Sequence, residues 1–507
     1  MKDPAYVGID LGAGSGRVFM ANLSPDRFSL YEVRRFANEP ARGNRHLEWR
    51  AGEIFEEIKI GLRLASRLAR NSGTTVSSIG VDGWGVDYGL VDSAGELCQE
   101  PICYRDKRTE DVMKRVFERV PRELIYARTG VQFLVFNTLF QLAAHVQAGI
   151  PKSAVRLLLI PDLIHFFLTG KAVTEYTNAT TTQMLNVRTA TWDSELLERL
   201  DLPARLLAEV VPAGTELGPL KSSLAEDLDL QDARVVAPAT HDTASAVAGT
   251  PLEENFAYIS SGTWSLIGVE RDQPMIDLDT GHHNFTNEGG AFGTIRFLKN
   301  VTGLWIFESC RSEWRAQGID IDYSRVLRGL DPQRCSPSLI FPDDPRFLDP
   351  PSMLAALTEQ LDETGQPVPE DAHAWTKLIL DSLAFRYASV VRMIDSLTAR
   401  HIKGIRIVGG GSQNDYLNQA TANITALPVF AGPVEATAIG NVLVQAIRAG
   451  RFKSLSEARH YIATKVQLKK FVPSSSSSWK EAARRYEAVE GRYSTVEAVC
   501  DRPRCTG

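Results

Sequence analysis

The sequence predicts an α/β protein built from two domains of similar plan. Three observations predict it. Helical periodicity alternates with short β-branched runs, glycine-rich turns follow three of those runs, and the two halves of the chain open in the same way. The first half opens with a buried strand at 5–9, the turn Asp10-Leu-Gly-Ala-Gly-Ser-Gly16 and a strand from Arg17 to Leu23. The second follows the linker candidate Gly249 to Asn255 with a strand at 256–260, the turn Ser261-Gly-Thr-Trp264 and a strand at 265–270. Each reads as a hairpin closed by small residues. The shared plan suggests duplication, although no clear sequence repeat accompanies it. The expected domains are 1–249, 250–470 and a Ser-rich spacer, terminal helix and tail at 471–507.

The remaining elements follow in order. Ile54, Ile58, Leu62, Ala65 and Ala69 recur at helical spacing, and Gly73 stops the helix. A strand at 77–81 leads into Asp82-Gly-Trp-Gly85, and another at 86–91 turns at Asp92 to Gly95. Residues 107–230 read as mostly helical. In the second half Trp375, Ile379, Leu383, Val390 and Ile394 mark a strong helix. A buried strand at 404–408 runs into Gly409-Gly-Gly411 and a helix from Asp415, then a strand at 428–431 and a helix at 436–449. Ser478 and Glu481 read as a capping box for the last helix, and the tail from Cys500 as frayed.

Composition narrows the function classes. The chain has 507 residues, a net charge of −6, 44% hydrophobic and 23% charged residues, which is ordinary for a globular protein. No basic field invites nucleic acid or anionic lipid, so neither is an expected partner. Six cysteines without a CxxC pair argue against a disulfide framework, and no His pair has zinc spacing. The start lacks a signal-peptide core, and the apolar run 157–168 is interrupted by Pro161, Asp162 and His165. A cytoplasmic setting is expected.

Several nucleotide motifs fail. Thr169-Gly-Lys-Ala172 has alanine where a Walker loop needs a hydroxyl, and a dinucleotide fingerprint starting at Gly12 needs glycine where Arg17 stands. The turns at 12–16, 261–263 and 409–411 could instead offer backbone amides to an oxyanion. A carboxylate directly before such a turn would repel phosphate unless a divalent cation intervened, so Asp10 reads as a metal-side residue or, alternatively, as an Asx-type turn former. Asp242, after the apolar run 235–237, could accept a proton from an attacking hydroxyl or could cap a helix. Asp82-Gly-Trp-Gly-Val-Asp87 could offer an indole and carboxylates to a sugar, or form a tight hairpin with a core Trp. Tyr104 to Arg108 could grip hydroxyls or be a solvated charged stretch.

Together, Asp10-x-Gly12-x-x-Ser15, Asp242 within HDT, SSGTW at 260–264 and GGG at 409–411 resemble the FGGY carbohydrate kinases of the sugar kinase, Hsp70 and actin superfamily. The likeness runs from about residue 5 to 450. Within the family DGWGVDYGLVD (82–92), YRDKRT (104–109), FNTLFQL (136–142), EYTNATTTQ (175–183), HDTASAV (241–247), NEGG (287–290), LKNVTGLW (298–305) and AGPVEATAIGN (431–441) are similar to members that phosphorylate L-rhamnulose.

The resemblance implies two ribonuclease-H-like (actin-like ATPase) domains with an interdomain cleft, ATP as co-substrate and Mg²⁺. It implies phosphate contacts from Ala13, Gly14, Ser15, Gly16, Arg17 and Thr263, and adenine-side contacts near Gly410. It implies a ketose held by Gly85, His241, Asp242, Thr243 and Asn300, with Asp242 as general base toward the C1 hydroxyl. The alternatives are a kinase for another ketose or polyol, such as L-fuculose, L-xylulose or a linear signalling polyol, and a noncatalytic sensor on the same fold. Two positions depart from the family pattern: Glu308 stands where a nucleotide-side Gln is usual, and Gly14 replaces a hydroxyl.

Overall fold

A computed structural model describes residues 4–319, 322–474 and 477–494. The chain divides into two units. The first comprises Met1–Pro251, Glu270–Phe297 and Ala436–Val466; the second comprises Leu252–Val269, Leu298–Glu435 and Gln467–Gly507.

The first unit is organised by a sheet of β1 (Ala5–Leu11), β2 (Ser15–Leu23), β3 (Phe28–Ala37), β4 (Val76–Gly83), β5 (Thr215–Pro219) and β6 (Arg234–Ala237), in the order β5-β6-β4-β1-β2-β3. β1 pairs antiparallel with β2 and parallel with β4, and β4 pairs parallel with β6. Every residue of β1 is buried, as the apolar run 5–9 requires of a strand covered on both faces, and the burial includes Asp10 near its end. The helix Ala51–Asn71 buries Ile54, Ile58, Leu62, Ala65 and Ala69, the stripe seen in the sequence.

A helix from late in the chain closes this sheet. Ala436–Arg448 packs on β1, β4 and the helix Asp242–Ala248. The approach is close enough that a Cβ on Gly440 would collide with the Ser245 carbonyl, and one on Gly249 with the Ala436 carbonyl. Gly440→Ala is therefore expected to destabilise the protein by about 1–3 kcal/mol through overpacking against backbone, read as a lower urea midpoint.

The second unit repeats the plan. Its sheet contains β7 (Phe256–Ser261), β8 (Trp264–Arg271), β9 (Ile295–Thr302), β10 (Gly404–Val408), β11 (Val429–Ala431) and β12 (Lys469–Phe471), running β9-β8-β7-β10-β11-β12. β7 pairs antiparallel with β8 and parallel with β10, β10 parallel with β11, and β11 antiparallel with β12. An opening hairpin, two further parallel strands and an antiparallel edge thus recur in the same spatial order. The expected long helix is Ala372–Thr398, with Trp375, Ile379, Leu383, Val390 and Ile394 buried.

One local expectation needs correction. The last helix begins at Ser477, so Ser478 lies inside it and not at its cap position, and the Ser478 hydroxyl accepts from the Cys335 amide at 3.0 Å. The tail from Cys500 lies outside the described residues. Among the described residues no helix is long and apolar enough to cross a membrane.

Candidate active site

The parallel strands β1, β4 and β6 end side by side, and the carboxyl ends of such strands are where open α/β sheets bind ligands. β1 and β4 each contribute an acid there, and a third follows β6. Asp10 of β1 and Asp82 of β4 are direct neighbours in the parallel register. Past β6, Thr240 and His241 close onto β4: Gly83 donates its amide to the Thr240 carbonyl at 2.9 Å, and Gly83 and His241 form an isolated parallel bridge. The next residue, Asp242, begins the helix Asp242–Ala248.

The three acids have different surroundings. Asp82 is completely buried, whereas the Asp242 side chain remains 32% exposed. Burial holds the Asp82 carboxyl well above the usual carboxylate range, and the nearby charges of Asp10 and Asp242 push the same way. Asn441 opposes them by donating Nδ2 to Asp82 Oδ2 at 2.5 Å, and Arg17 adds a favourable charge. Asp82 Oδ1 has no hydrogen-bond partner. Arg17 Nη2 in turn binds Asp10 Oδ2 at 2.5 Å. Among the described residues no group of three or more His, Cys, Asp or Glu is arranged to hold a metal ion. Mg²⁺, however, is commonly held by one or two carboxylates with waters and phosphate oxygens. The Asp10–Asp82 pair, with an unpartnered buried oxygen, fits that donor set.

The helix-cap reading of Asp242 is not realised, because the N-cap position is His241. Asp242 Oδ1 accepts from the Thr243 amide at 2.5 Å and the Thr243 hydroxyl at 3.1 Å. The preceding segment is anchored from below by Glu175, a completely buried acid. Its Oε2 accepts from the Thr240 amide and hydroxyl, both at 2.9 Å, and from the Thr177 hydroxyl at 2.5 Å. The His241 ring lies between acids: Nε2 is 3.5 Å from Asp242 Oδ1 and Nδ1 is 3.3 Å from Glu288 Oε2.

Gly85 lies beyond Asp82, where an added Cβ would press on the Thr181 hydroxyl at 3.0 Å. Between them Trp84 is buried against Trp49, with ring centroids 4.5 Å apart and planes tilted by 45°. Both indoles donate to Asp87 Oδ2, at 2.7 Å from Trp49 and 3.1 Å from Trp84. Asp87, pushed to about 6 by burial, is therefore an internal acceptor and Trp84 a core residue, the hairpin alternative for this segment. Arg108 is likewise tied inward, to Gln141 Oε1 at 2.6 Å.

The first glycine-rich turn has an open tip. Gly12 donates to the Ser15 carbonyl at 3.0 Å, and Asn38 Nδ2 holds the Gly12 carbonyl at 2.7 Å. Gly14 is exposed with open space where a side chain would go, while a Cβ at Gly16 would strike Phe36. Ala13, Ser15 and Arg17 flank the tip half-buried.

In the second unit the other two turns meet. A side chain on Gly411 would collide with Ser261, and Gly409 adopts a φ of 77° beside the Ser261 carbonyl. The exposed Thr263 accepts at its carbonyl from the Gly303 and Trp305 amides at 3.1 and 3.2 Å, docking the start of the helix Trp305–Ala316. Gly410 has open space around it. One turn along that helix, Glu308 is 53% exposed and paired with Arg311 Nη1 at 3.1 Å. Asn300 sits half-buried on β9.

Sequence reasoning assigned no role to Glu175, Glu288, Arg296 or Asn441. Three of them lie in segments quoted for the family likeness, EYTNATTTQ, NEGG and AGPVEATAIGN, and that was the only signal available.

The model for the FGGY family of carbohydrate kinases, N-terminal domain, matches residues 5–249, and that for the C-terminal domain matches residues 257–449. The chain belongs to the FGGY family of carbohydrate kinases. This FGGY kinase is 40% identical to a rhamnulokinase of Bacteroides thetaiotaomicron over 484 residues, covering 94% of this chain and 97% of that one. It is 41% identical to a rhamnulokinase of Pectobacterium carotovorum over 488 residues, covering 95% and 96%. Among solved structures, gluconate kinase from Lactobacillus acidophilus superposes with a TM-score of 0.77 at 18% identity, covering 98% of each chain, which shows the two-domain actin-like fold. FGGY kinases use ATP as co-substrate.

Proposed function

We propose that this FGGY kinase transfers the γ-phosphoryl group of ATP to the C1 hydroxyl of L-rhamnulose, giving ADP and L-rhamnulose 1-phosphate. The observation that carries the mechanism is Asp242, a half-exposed carboxylate at a helix start beside the buried Asp10–Asp82 pair. Near-full-length similarity to proteins named rhamnulokinase supports the substrate.

In this reading residues 1–249 hold the sugar and supply the base, residues 250–470 bind the nucleotide, and 471–507 are a Ser-rich spacer, terminal helix and tail. Gly85, His241, Thr243 and Asn300 bind the ketose. Asp242 accepts the C1 proton as that oxygen attacks phosphorus and the bond to ADP breaks. In the first unit the turn Ala13–Arg17 faces phosphate; in the second Thr263, Glu308 and Gly410 face the nucleotide. Asp10 and Asp82 would hold Mg²⁺, which when bound offsets charge on the phosphate oxygens. A cytoplasmic setting belongs to the same reading.

A coupled ADP-release assay across L-rhamnulose, L-fuculose, L-xylulose and linear polyols tests it. L-Rhamnulose is expected to give the highest kcat/KM; no sugar-dependent ADP from L-rhamnulose would sink the assignment.

A further inference from the structure

The site contains a buried charge that reaches the residue beside Asp242. Arg296, on β9, is completely buried. Its Nε donates to the Gly289 carbonyl at 2.9 Å, and its Nη2 lies 3.0 Å from Glu288 Oε2 and 3.0 Å from His241 Nδ1. The strand carrying Glu288, Thr286–Gly289, is itself fixed. Gly289 donates to the Thr180 hydroxyl at 2.8 Å, and the Asn287 side chain bonds the Gly130 carbonyl at 3.1 Å and the Met275 carbonyl at 2.9 Å. The backbone that carries Glu288 is thus held in place beside the histidine.

A guanidinium only donates, so an Nη2–H directed at His241 Nδ1 requires a lone pair there. A proton on Nδ1 would satisfy Glu288 at 3.3 Å but would oppose a donor at the shorter 3.0 Å separation. We infer that the Arg296–Glu288 pair holds His241 in the tautomer protonated at Nε2, making Arg296 and Glu288 positioning residues. The Nε2 proton then faces Asp242 Oδ1, 3.5 Å away, and the oxygens of any ligand bound there. His241 becomes a fixed donor, and proton acceptance falls to Asp242 alone. This rests on the kinase reading only for its catalytic consequence, since the tautomer belongs to the protein without ligand.

Nitrogen NMR on full-length, histidine-labelled protein tests it, with His241 identified by the signals lost in His241→Asn. A bare Nδ1 and protonated Nε2 are expected in the ligand-free enzyme; a protonated Nδ1 or a doubly protonated ring would overturn the inference. Arg296→Met should move the proton to Nδ1, facing Glu288. It should also lower kcat by about a hundredfold with a smaller change in KM, the scale of effect of a misplaced reacting group. An unchanged tautomer with unchanged kcat would overturn it too, and the wild-type spectrum decides if that variant fails to fold. Failure of the kinase reading would show separately, in the ketose assay.

Discussion

Asp242→Asn lowers turnover of the sugar by at least about a hundredfold while barely moving the urea midpoint of unfolding. The two halves of this result have separate causes. A general base contributes about a hundredfold or more to proton transfer, and an amide cannot take that proton at neutral pH. Stability is spared because the carboxylate is partly solvated, and its contacts at Oδ1, from the Thr243 amide and hydroxyl and from His241 Nε2 3.5 Å away, are ones an amide oxygen reproduces. Steady-state kinetics and urea titration on one preparation check both. Turnover within a factor of a few of wild type would remove Asp242 as base.

Asp82→Asn is expected to reduce activity and raise stability together. The activity loss, again about a hundredfold or more, follows if the Asp10–Asp82 pair holds the cation that offsets phosphate charge. The stability gain follows from burial. Asp82 is held well above its ordinary range because its charged form is desolvated and lies beside Asp10. A folded-state value raised above the unfolded one means the wild type is stabilised below the unfolded value, near pH 4, and loses that contribution as pH rises through the folded value. An asparagine has no charge to desolvate and can still accept from Asn441 through its oxygen. The variant's advantage should therefore be absent near pH 4 and grow toward neutral pH, as urea midpoints at the two conditions would reveal. An advantage that is flat with pH would mean Asp82 carries no such cost.

Local sequence rules found what local physics determines. The two opening hairpins, the helix over Ile54 to Ala69 and the strand running into Gly409 to Gly411 all follow from periodicity and glycine placement. The placement of Asp242 at a helix start was legible for the same reason. What escaped depends on register between distant strands. Nothing near Asp82 says that it will lie beside Asp10, because the parallel pairing of β1 with β4 sets that. Likewise Asp87 looked like a hydroxyl-binding acid until two indoles closed over it. The partnership of Arg296 and Glu288 with His241 joins residues far apart in the chain, and no local pattern encodes it. The expected cap at Ser478 lies one residue inside the helix, because local pattern places a helix end only to within a residue or two.

The helix Ala436–Arg448 carries a consequence for how the protein is made. Domains generally fold as they leave the ribosome, the N-terminal one first. Here the first unit lacks a wall until residue 448 has emerged: before then Asp82 has no Asn441, and the Gly249 surface has no Gly440 against it. The nascent chain must therefore carry its acidic centre unfinished through synthesis of nearly all the second unit. Emergence of the helix Ala436–Arg448, not translation of the first half, becomes the event that completes the first unit.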